Sequence, residues 1–383
     1  MRLRFGGHSA DWAKLVPTLV LVAASMPATT RASVNILPMG NSISNGTGSV
    51  SSGGYREPLQ ELLIDNGQTL HGTFEFIGGQ DDGSDKLDSG QVMDDDNWAR
   101  PGALAADSPR SNPFIGGAVG DPILNQDVEA RWGSVFKDGP AEVVLLHIGT
   151  NPILGDTASD PAYGSTRDTY SANEAAGQLG NLLDSMQETY QNDANRADRR
   201  IAEDARIVVS GIVPKASDNG VAGTTDAQTV ISTDNYNQQI DDQISTLSTG
   251  FRSLFSRADM FSIPADSALA ANLKSLGVSQ SQIDQMVDPD GDARVDWVLG
   301  DSLKAFNEDT PQRGDYTGIN TALLQKDKIH PTELGYKVMA SVWYEKLVEL
   351  DRVPEPASLT LVALGTAMMC GGRRRRTGRA RQC

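Results

Sequence analysis

Short apolar runs separated by longer amphipathic stretches restrict this chain most, because strands and helices alternating in that rhythm build a parallel sheet covered on both faces. Residues 34–39 read as the first strand, and 55–65 as a helix with Leu59, Leu62 and Leu63 along one side. A second strand is expected at 74–77. Residues 143–148 are almost continuously apolar, as a strand buried on both faces requires, and 175–190 follow as a helix. The pattern repeats with a strand at 207–213, a long helical region over 229–255, a weak strand at 260–263 and a closing helix over 331–350. The expected fold is a three-layer α/β/α sandwich around a central parallel sheet. Two segments break the rhythm: 78–139 is rich in Gly, Asp and Pro, and 288–325 is acidic with little apolar periodicity. Long irregular insertions in a compact domain usually serve as binding loops or lids. In an open α/β sheet the ligand lies outside the carboxyl ends of the strands, so chemistry is sought in the loops that follow them.

Both ends look processed. Arg2, Arg4 and Lys14 flank or precede an apolar stretch over 15–24, with Ala28 and Ala32 beyond it, the layout of a secretory signal peptide over residues 1–32. At the far end Val353-Pro354-Glu355-Pro356-Ala357-Ser358 leads into an apolar run over 359–370 and then Arg373 to Arg376. That run is short for a full span of ~20 residues, and the arginines favour the cytoplasmic side. This tripartite end over 353–383 resembles the PEP-CTERM sorting signal. The resemblance implies an exosortase-type sorting machinery as partner, and a membrane anchor that lasts only until processing. A plain C-terminal anchor is the alternative. Either reading places 33–352 outside the cytoplasm, secreted or held at a bacterial cell surface or extracellular matrix.

Of 33 Lys and Arg, four lie in 1–32 and six in 353–383, while each end holds one of the 50 acids. Segment 33–352 therefore carries 23 basic and 48 acidic side chains, net −25. Such a surface repels nucleic acid and anionic membrane, which removes both as partners, and it suits hard cations. The only cysteines, Cys370 and Cys383, fall in the tail, so the exported segment has neither a disulfide nor a thiol nucleophile.

Three blocks carry the chemistry. The first strand runs into Gly40-Asn41-Ser42-Ile43-Ser44-Asn45-Gly46, a serine at a strand end between glycines that allow a sharp turn. The buried strand over 143–148 runs into Gly149-Thr150-Asn151, and Asp327-Lys328-Ile329-His330-Pro331 precedes the last helix, with Pro331 suited to its first turn. A serine hydroxyl needs a base to become a nucleophile, and a neutral imidazole needs a carboxylate to fix its tautomer. Of four histidines, His8 leaves with the leader, His71 lies in a polar turn and His147 lies within a strand; His330 has a carboxylate three residues before it.

These blocks resemble the SGNH (GDSL-like) hydrolase superfamily over most of 34–345. Ile36-Leu37-Pro38-Met39-Gly40-Asn41-Ser42, followed by Gly53-Gly54-Tyr55-Arg56, is similar to the family's first block as it appears in esterases related to acetylxylan esterases. Phe76-Ile77-Gly78-Gly79-Gln80 resembles their second strand. The resemblance implies a flavodoxin-like sandwich that hydrolyses esters through an acyl-serine intermediate, with no cofactor required for catalysis. It implies Ser42 as nucleophile, His330 as general base, Asp327 as its orienter, and Asn151 with the Ser42 backbone N–H as oxyanion donors. The remaining donor is expected to be Gly102 of Arg100-Pro101-Gly102-Ala103, in preference to Gly116 or Gly117. The implied substrate is an O-acetyl group on a glycan. The readings left beside it are a lipase, thioesterase or arylesterase of the same family, a non-catalytic matrix or carbohydrate-binding relative, and a calcium-organised adhesion domain.

Two positions depart from the family pattern. Asn41 stands where the family has Asp, and Pro152 where it has Asp. The amide can still accept a hydrogen bond, whereas the proline removes a carboxylate and a backbone N–H, so Asn151 needs support from elsewhere. Finally, Asp288, Asp290, Asp292 and Asp296 recur with the spacing by which calcium loops gather oxygen ligands. Ala293 and Leu299 stand where such a loop would have its glycine and its last acid. A structural Ca²⁺ and a solvated acidic turn are both consistent with that spacing.

Overall fold

A computed structural model describes residues 33–70, 73–81, 83, 86–101, 103, 105, 135–136, 139–154, 172–194, 199–214, 226–286, 293–299 and 318–350. The expected leader over 1–32 and the expected sorting tail over 353–383 lie outside the described residues, as do His71, Gly116 and Gly117. No described helix is long and apolar enough to cross a membrane.

In chain order the elements are β1 (Val34–Gly40), α1 (Ser42–Asn45), α2 (Arg56–Asp65), β2 (Phe74–Phe76), β3 (Gln80–Asp81), β4 (Asp96–Ala99) and β5 (Ala141–His147). They continue as α3 (Thr150–Leu154), α4 (Ala172–Asn192), β6 (Ile201–Ser210), α5 (Asp226–Thr246), α6 (Thr249–Arg252) and β7 (Phe255–Ala258). The last are α7 (Ser267–Ser275), α8 (Gln280–Met286), β8 (Val298–Leu299), β9 (Gly318–Ile319) and α9 (Glu333–Glu349). One sheet runs β3-β4-β1-β5-β6-β7, and β2 pairs with β1. Every pairing in it is parallel except β3 with β4.

The period-2 alternation of the strands sorts side chains into two cores. Ile36, Val143, Leu145 and Val208 face one layer, with Leu59 and Leu63 of α2, Leu273 of α7 and Val338, Met339 and Trp343 of α9. Their neighbours Leu37, Met39, Val144, Leu146, Ile207 and Val209 face the other, with Leu179, Leu182 and Met186 of α4 and Tyr236 and Ile240 of α5. The result is the three-layer α/β/α sandwich that the apolar rhythm implies. Leu145 sits at its centre, fully buried and in register between Pro38 and Val208. Leu145→Ala is therefore expected to cost about 2–5 kcal/mol. Urea unfolding with an unchanged slope would measure it, and a loss below about 1 kcal/mol would contradict the central placement.

Three sequence expectations are corrected. The helical region stops short of residue 255, because Phe255–Ala258 is the edge strand β7, pairing with Ile207 to Ser210 of β6. Residues 260–263 are not the strand: Met260, Phe261 and Ile263 are buried as connecting chain that packs into the core. An apolar run mimicked a strand there, while the four-residue strand beside it holds a serine and an arginine and shows no apolar run. The segment 78–139, read as an insertion, contributes β3 and β4 to the sheet. β4 escaped notice because Asn97 is polar yet buried. Its Oδ1 accepts from the Ala99 N–H at 2.9 Å and its Nδ2 donates to the carbonyls of Gln80 and Asp95.

The topology fixes where a site can form. From β1 the chain passes to β2 on one flank, then returns across β1 to β5 on the other. The loops after β1 and β5 thus diverge at a switch point, and the crevice between them is where ligands bind in such sheets.

Candidate active site

Ser42 opens α1 directly after β1. Asn41 precedes it in extended conformation and caps the turn, its Oδ1 accepting from the Ile43 N–H at 3.0 Å. Capping needs only an acceptor, so the amide serves there without a charge. The turn closes at Gly46 in the left-handed region, and the buried Arg56 guanidinium donates to the Asn45 carbonyl at 2.9 Å. Ser42 is 7% exposed, just beyond the carboxyl end of β1.

His330 and Asp327 lie nearly three hundred residues further along the chain and meet Ser42 at the same sheet edge. His330 Nε2 is 3.1 Å from Ser42 Oγ, and His330 Nδ1 is 2.6 Å from Asp327 Oδ2. The other Asp327 oxygen accepts from the backbone N–H groups of Ile329 (2.9 Å) and His330 (3.0 Å). That local turn, with Lys328 in the left-handed region at φ 59°, points carboxylate and imidazole the same way. Partial burial pushes the Asp327 carboxyl up, but the His330 ring, the two backbone N–H groups and the imidazole charge outweigh it and bring it down to about 2. Asp327 is therefore an anion at any ordinary pH. An anionic oxygen on Nδ1 keeps the proton on that nitrogen and leaves Nε2 as an acceptor aimed at the serine hydroxyl.

The loop after β5 supplies the second side of the crevice. Asn151 Nδ2 donates to the Ala103 carbonyl at 3.0 Å. An amide nitrogen carries two hydrogens, and this bond uses one of them. This contact with the loop after β4 supplies support for Asn151. Pro152 lies in the first turn of α3, where backbone N–H groups have no intrahelical acceptor. Upstream, the Tyr236 hydroxyl donates to the Ile148 carbonyl at 2.7 Å, and burial holds that phenol well above its ordinary range and so protonated. Gly149, at φ 116°, lets the ring approach, since a Cβ there would lie 2.3 Å from it.

Gly102 lies outside the described residues, although its neighbour Ala103 is the partner of Asn151. Asp288, Asp290 and Asp292 lie outside them as well; Asp296 is buried at 3% exposure, its N–H donating to the Met286 carbonyl. Among the described residues no group of three or more His, Cys, Asp or Glu side chains is placed to hold a metal ion.

Sequence reasoning left His147 as an ordinary strand residue. It is fully buried at the end of β5, in register with Gly40, with Nδ1 2.8 Å from the Ser210 hydroxyl. Its carbonyl accepts from Ser44 Oγ of α1 at 3.4 Å. It therefore underlies the serine turn from the sheet side. Sequence reasoning also missed Gln325 and Tyr336, whose partners in the loop after α1 are close to 280 residues away.

The fold and these contacts define an α/β/α protein with a hydrogen-bonded Ser-His-Asp chain at its topological switch point. No protein-family model and no curated protein matches the chain. Among solved structures it is similar to a carbohydrate esterase family 3 protein from Talaromyces cellulolyticus, at 14% identity and TM-score 0.43 over 83% of this chain and 97% of that one. A Clostridium thermocellum family 3 carbohydrate esterase shares 16% identity at TM-score 0.42, over 83% and 96%. The native aryl esterase of M. smegmatis shares 15% at TM-score 0.33, over 59% and 84%.

Proposed function

We propose that the protein is an exported serine esterase that removes O-acetyl groups from carbohydrate. The observation that carries the esterase reading is the unbroken hydrogen-bonded path from Ser42 Oγ through His330 to the Asp327 carboxylate. In the reaction, His330 Nε2 takes the Ser42 proton as Oγ bonds to the ester carbonyl carbon. The carbonyl oxygen becomes an oxyanion, held by the Ser42 N–H, the remaining Asn151 Nδ2 hydrogen and the Gly102 N–H. Collapse breaks the bond to the sugar oxygen, which leaves with the proton from His330. Water, deprotonated by the same imidazole, then attacks the acetyl-serine carbonyl; the bond to Ser42 Oγ breaks, His330 returns the proton to Oγ, and acetate leaves.

The glycan preference is supported by the acetylxylan-esterase-like first block and by an export layout that sets residues 33–352 beside extracellular polysaccharide. The same layout supports sorting by an exosortase-type machinery. A net charge of −25 over that segment disfavours acidic substrates. The acidic run Asp288, Asp290, Asp292 and Asp296 enters this reading as a structural Ca²⁺ site with no part in the chemistry, beside the alternative of a solvated acidic turn.

Incubating the full chain with p-nitrophenyl acetate and with acetylated xylan, beside Ser42→Ala, tests the reading. Release of acetate that depends on Ser42 is expected from both substrates. No Ser42-dependent release from either would favour a non-catalytic binding protein, and release from long-chain acyl esters alone would favour a lipase. Asn151→Ala is expected to lower kcat by about two to three powers of ten with little change in KM, the usual effect of losing one oxyanion donor. Steady-state kinetics that show only a raised KM would remove Asn151 from that role.

A further inference from the structure

The geometry points to Gln325 as a positioning residue for the reaction proposed above, its side-chain amide strapping the histidine loop onto the loop that follows the nucleophile. Its Nε2 donates one hydrogen to the Gly48 carbonyl at 2.7 Å and the other to the Pro331 carbonyl at 2.9 Å. Gly48 is six residues beyond Ser42, and Pro331 directly follows His330. One amide thus spans the two segments whose separation sets the Ser42–His330 contact.

The backbone of Gln325 adds to this. Its N–H donates to the His330 carbonyl and its carbonyl accepts from the Lys328 N–H, both at 2.9 Å. Residues 325–330 are thereby closed into one small unit around Asp327, so that fixing Gln325 fixes the whole turn. Gly48 is shaped to receive the amide. It sits at φ 91°, and a Cβ on it would lie 2.1 Å from Gln325 Nε2. On the other side of His330, the Tyr336 hydroxyl donates to the Thr47 carbonyl at 2.7 Å and the Glu333 carboxylate accepts from the Val50 N–H. His330 is therefore bracketed, by Gln325 before it and by the start of α9 after it, against the same stretch 47–50.

Strapping matters because proton transfer from Ser42 needs the imidazole within hydrogen-bond reach at the moment of attack. A misplacement of about 1 Å can cost on the order of a hundredfold in rate. The Asp327–His330 contact lies inside the turn and does not depend on the strap. Its loss should therefore leave the imidazole oriented but less often in reach of the hydroxyl.

Gln325→Met keeps the length and removes both donors; Gln325→Glu keeps the shape and turns acceptors toward two carbonyls. Both are made in the full chain and assayed with p-nitrophenyl acetate beside the unaltered chain and Ser42→Ala. The expected result is a kcat lowered about ten- to a hundredfold, more in the Glu variant, with KM within twofold and a melting temperature within a few degrees. A merely structural glutamine would instead lower the melting temperature and leave the kcat of the folded fraction unchanged. Either that result, or a kcat within twofold of the unaltered chain in both variants, overturns the inference while Ser42-dependent turnover stands. An unaltered chain with no Ser42-dependent turnover overturns the functional reading, and this inference with it.

Discussion

Replacing Ser42 with alanine is expected to lower kcat for p-nitrophenyl acetate by about four to six powers of ten, and adding His330→Ala to that variant is expected to change almost nothing further. The two side chains meet at 3.1 Å, and in the proposed reaction they perform one act, the transfer of a proton as a bond forms. Once the hydroxyl is gone the base has nothing to activate, so the second substitution removes a group already idle. What survives is the weaker catalysis of oxyanion donors acting on a bound ester. The single His330→Ala variant should be about as damaged as Ser42→Ala, because a serine hydroxyl without a base is a poor nucleophile at neutral pH. The measurement is a double-mutant cycle in kcat. Effects that multiply instead of saturating would mean that the two groups act in separate steps. Ser42→Ala retaining more than about a hundredth of the activity would place the nucleophile elsewhere.

The parts legible in the sequence are those whose signals are local. Val143 to Leu146 read as a buried strand because both faces must be apolar, and the structure puts Val143 and Leu145 in one core and Val144 and Leu146 in the other. The turn Asp327-Lys328-Ile329-His330 is equally local, since every hydrogen bond that the Asp327 carboxylate makes in it spans at most three residues. Asp266 shows the same kind of signal unused. Its carboxylate caps α7 by accepting from the Ala268 and Leu269 N–H groups, a start that the acidic residue before a helical run could have announced. By contrast, β4 and β7 are four-residue edge or near-edge strands whose identity depends on pairing partners. Asn97 is buried through bonds that only the fold creates, so no periodicity betrays it. Gln325 and Tyr336 are the extreme case. Each looks like an ordinary polar or amphipathic residue, and each acquires a role only when the loop near residue 48, almost the whole domain away in sequence, folds beneath it.

Asp327→Asn is expected to lower kcat by about four powers of ten at neutral pH while leaving the fold intact. The Asn Oδ1 can still accept from the Ile329 and His330 N–H groups, so the turn should persist. Its amide nitrogen would then face His330 Nδ1, which must become the acceptor, and the ring proton moves to Nε2. An Nε2 that carries a proton cannot take one from Ser42. The pH dependence follows from the same carboxyl. Partial burial raises its pKa, but the hydrogen bonds from the His330 ring and the backbone outweigh that and depress it from 3.8 to about 2. A depressed carboxyl contributes stability that is complete above its unfolded value and lost as pH falls through the folded one, here between about pH 4 and pH 2. Nothing in that contribution changes between pH 5 and 8, so Asp327 itself adds no pH dependence to kcat/KM or to stability in that range. Because the Asp327 side chain is 43% exposed, solvent screening keeps the effect on unfolding small, and rate is the sensitive readout. The pH profile of kcat/KM and thermal melts of both proteins from pH 2 to 8 check this. A kcat within tenfold of the unaltered chain, with the fold intact, would mean that the 2.6 Å contact to Nδ1 orients nothing the reaction uses.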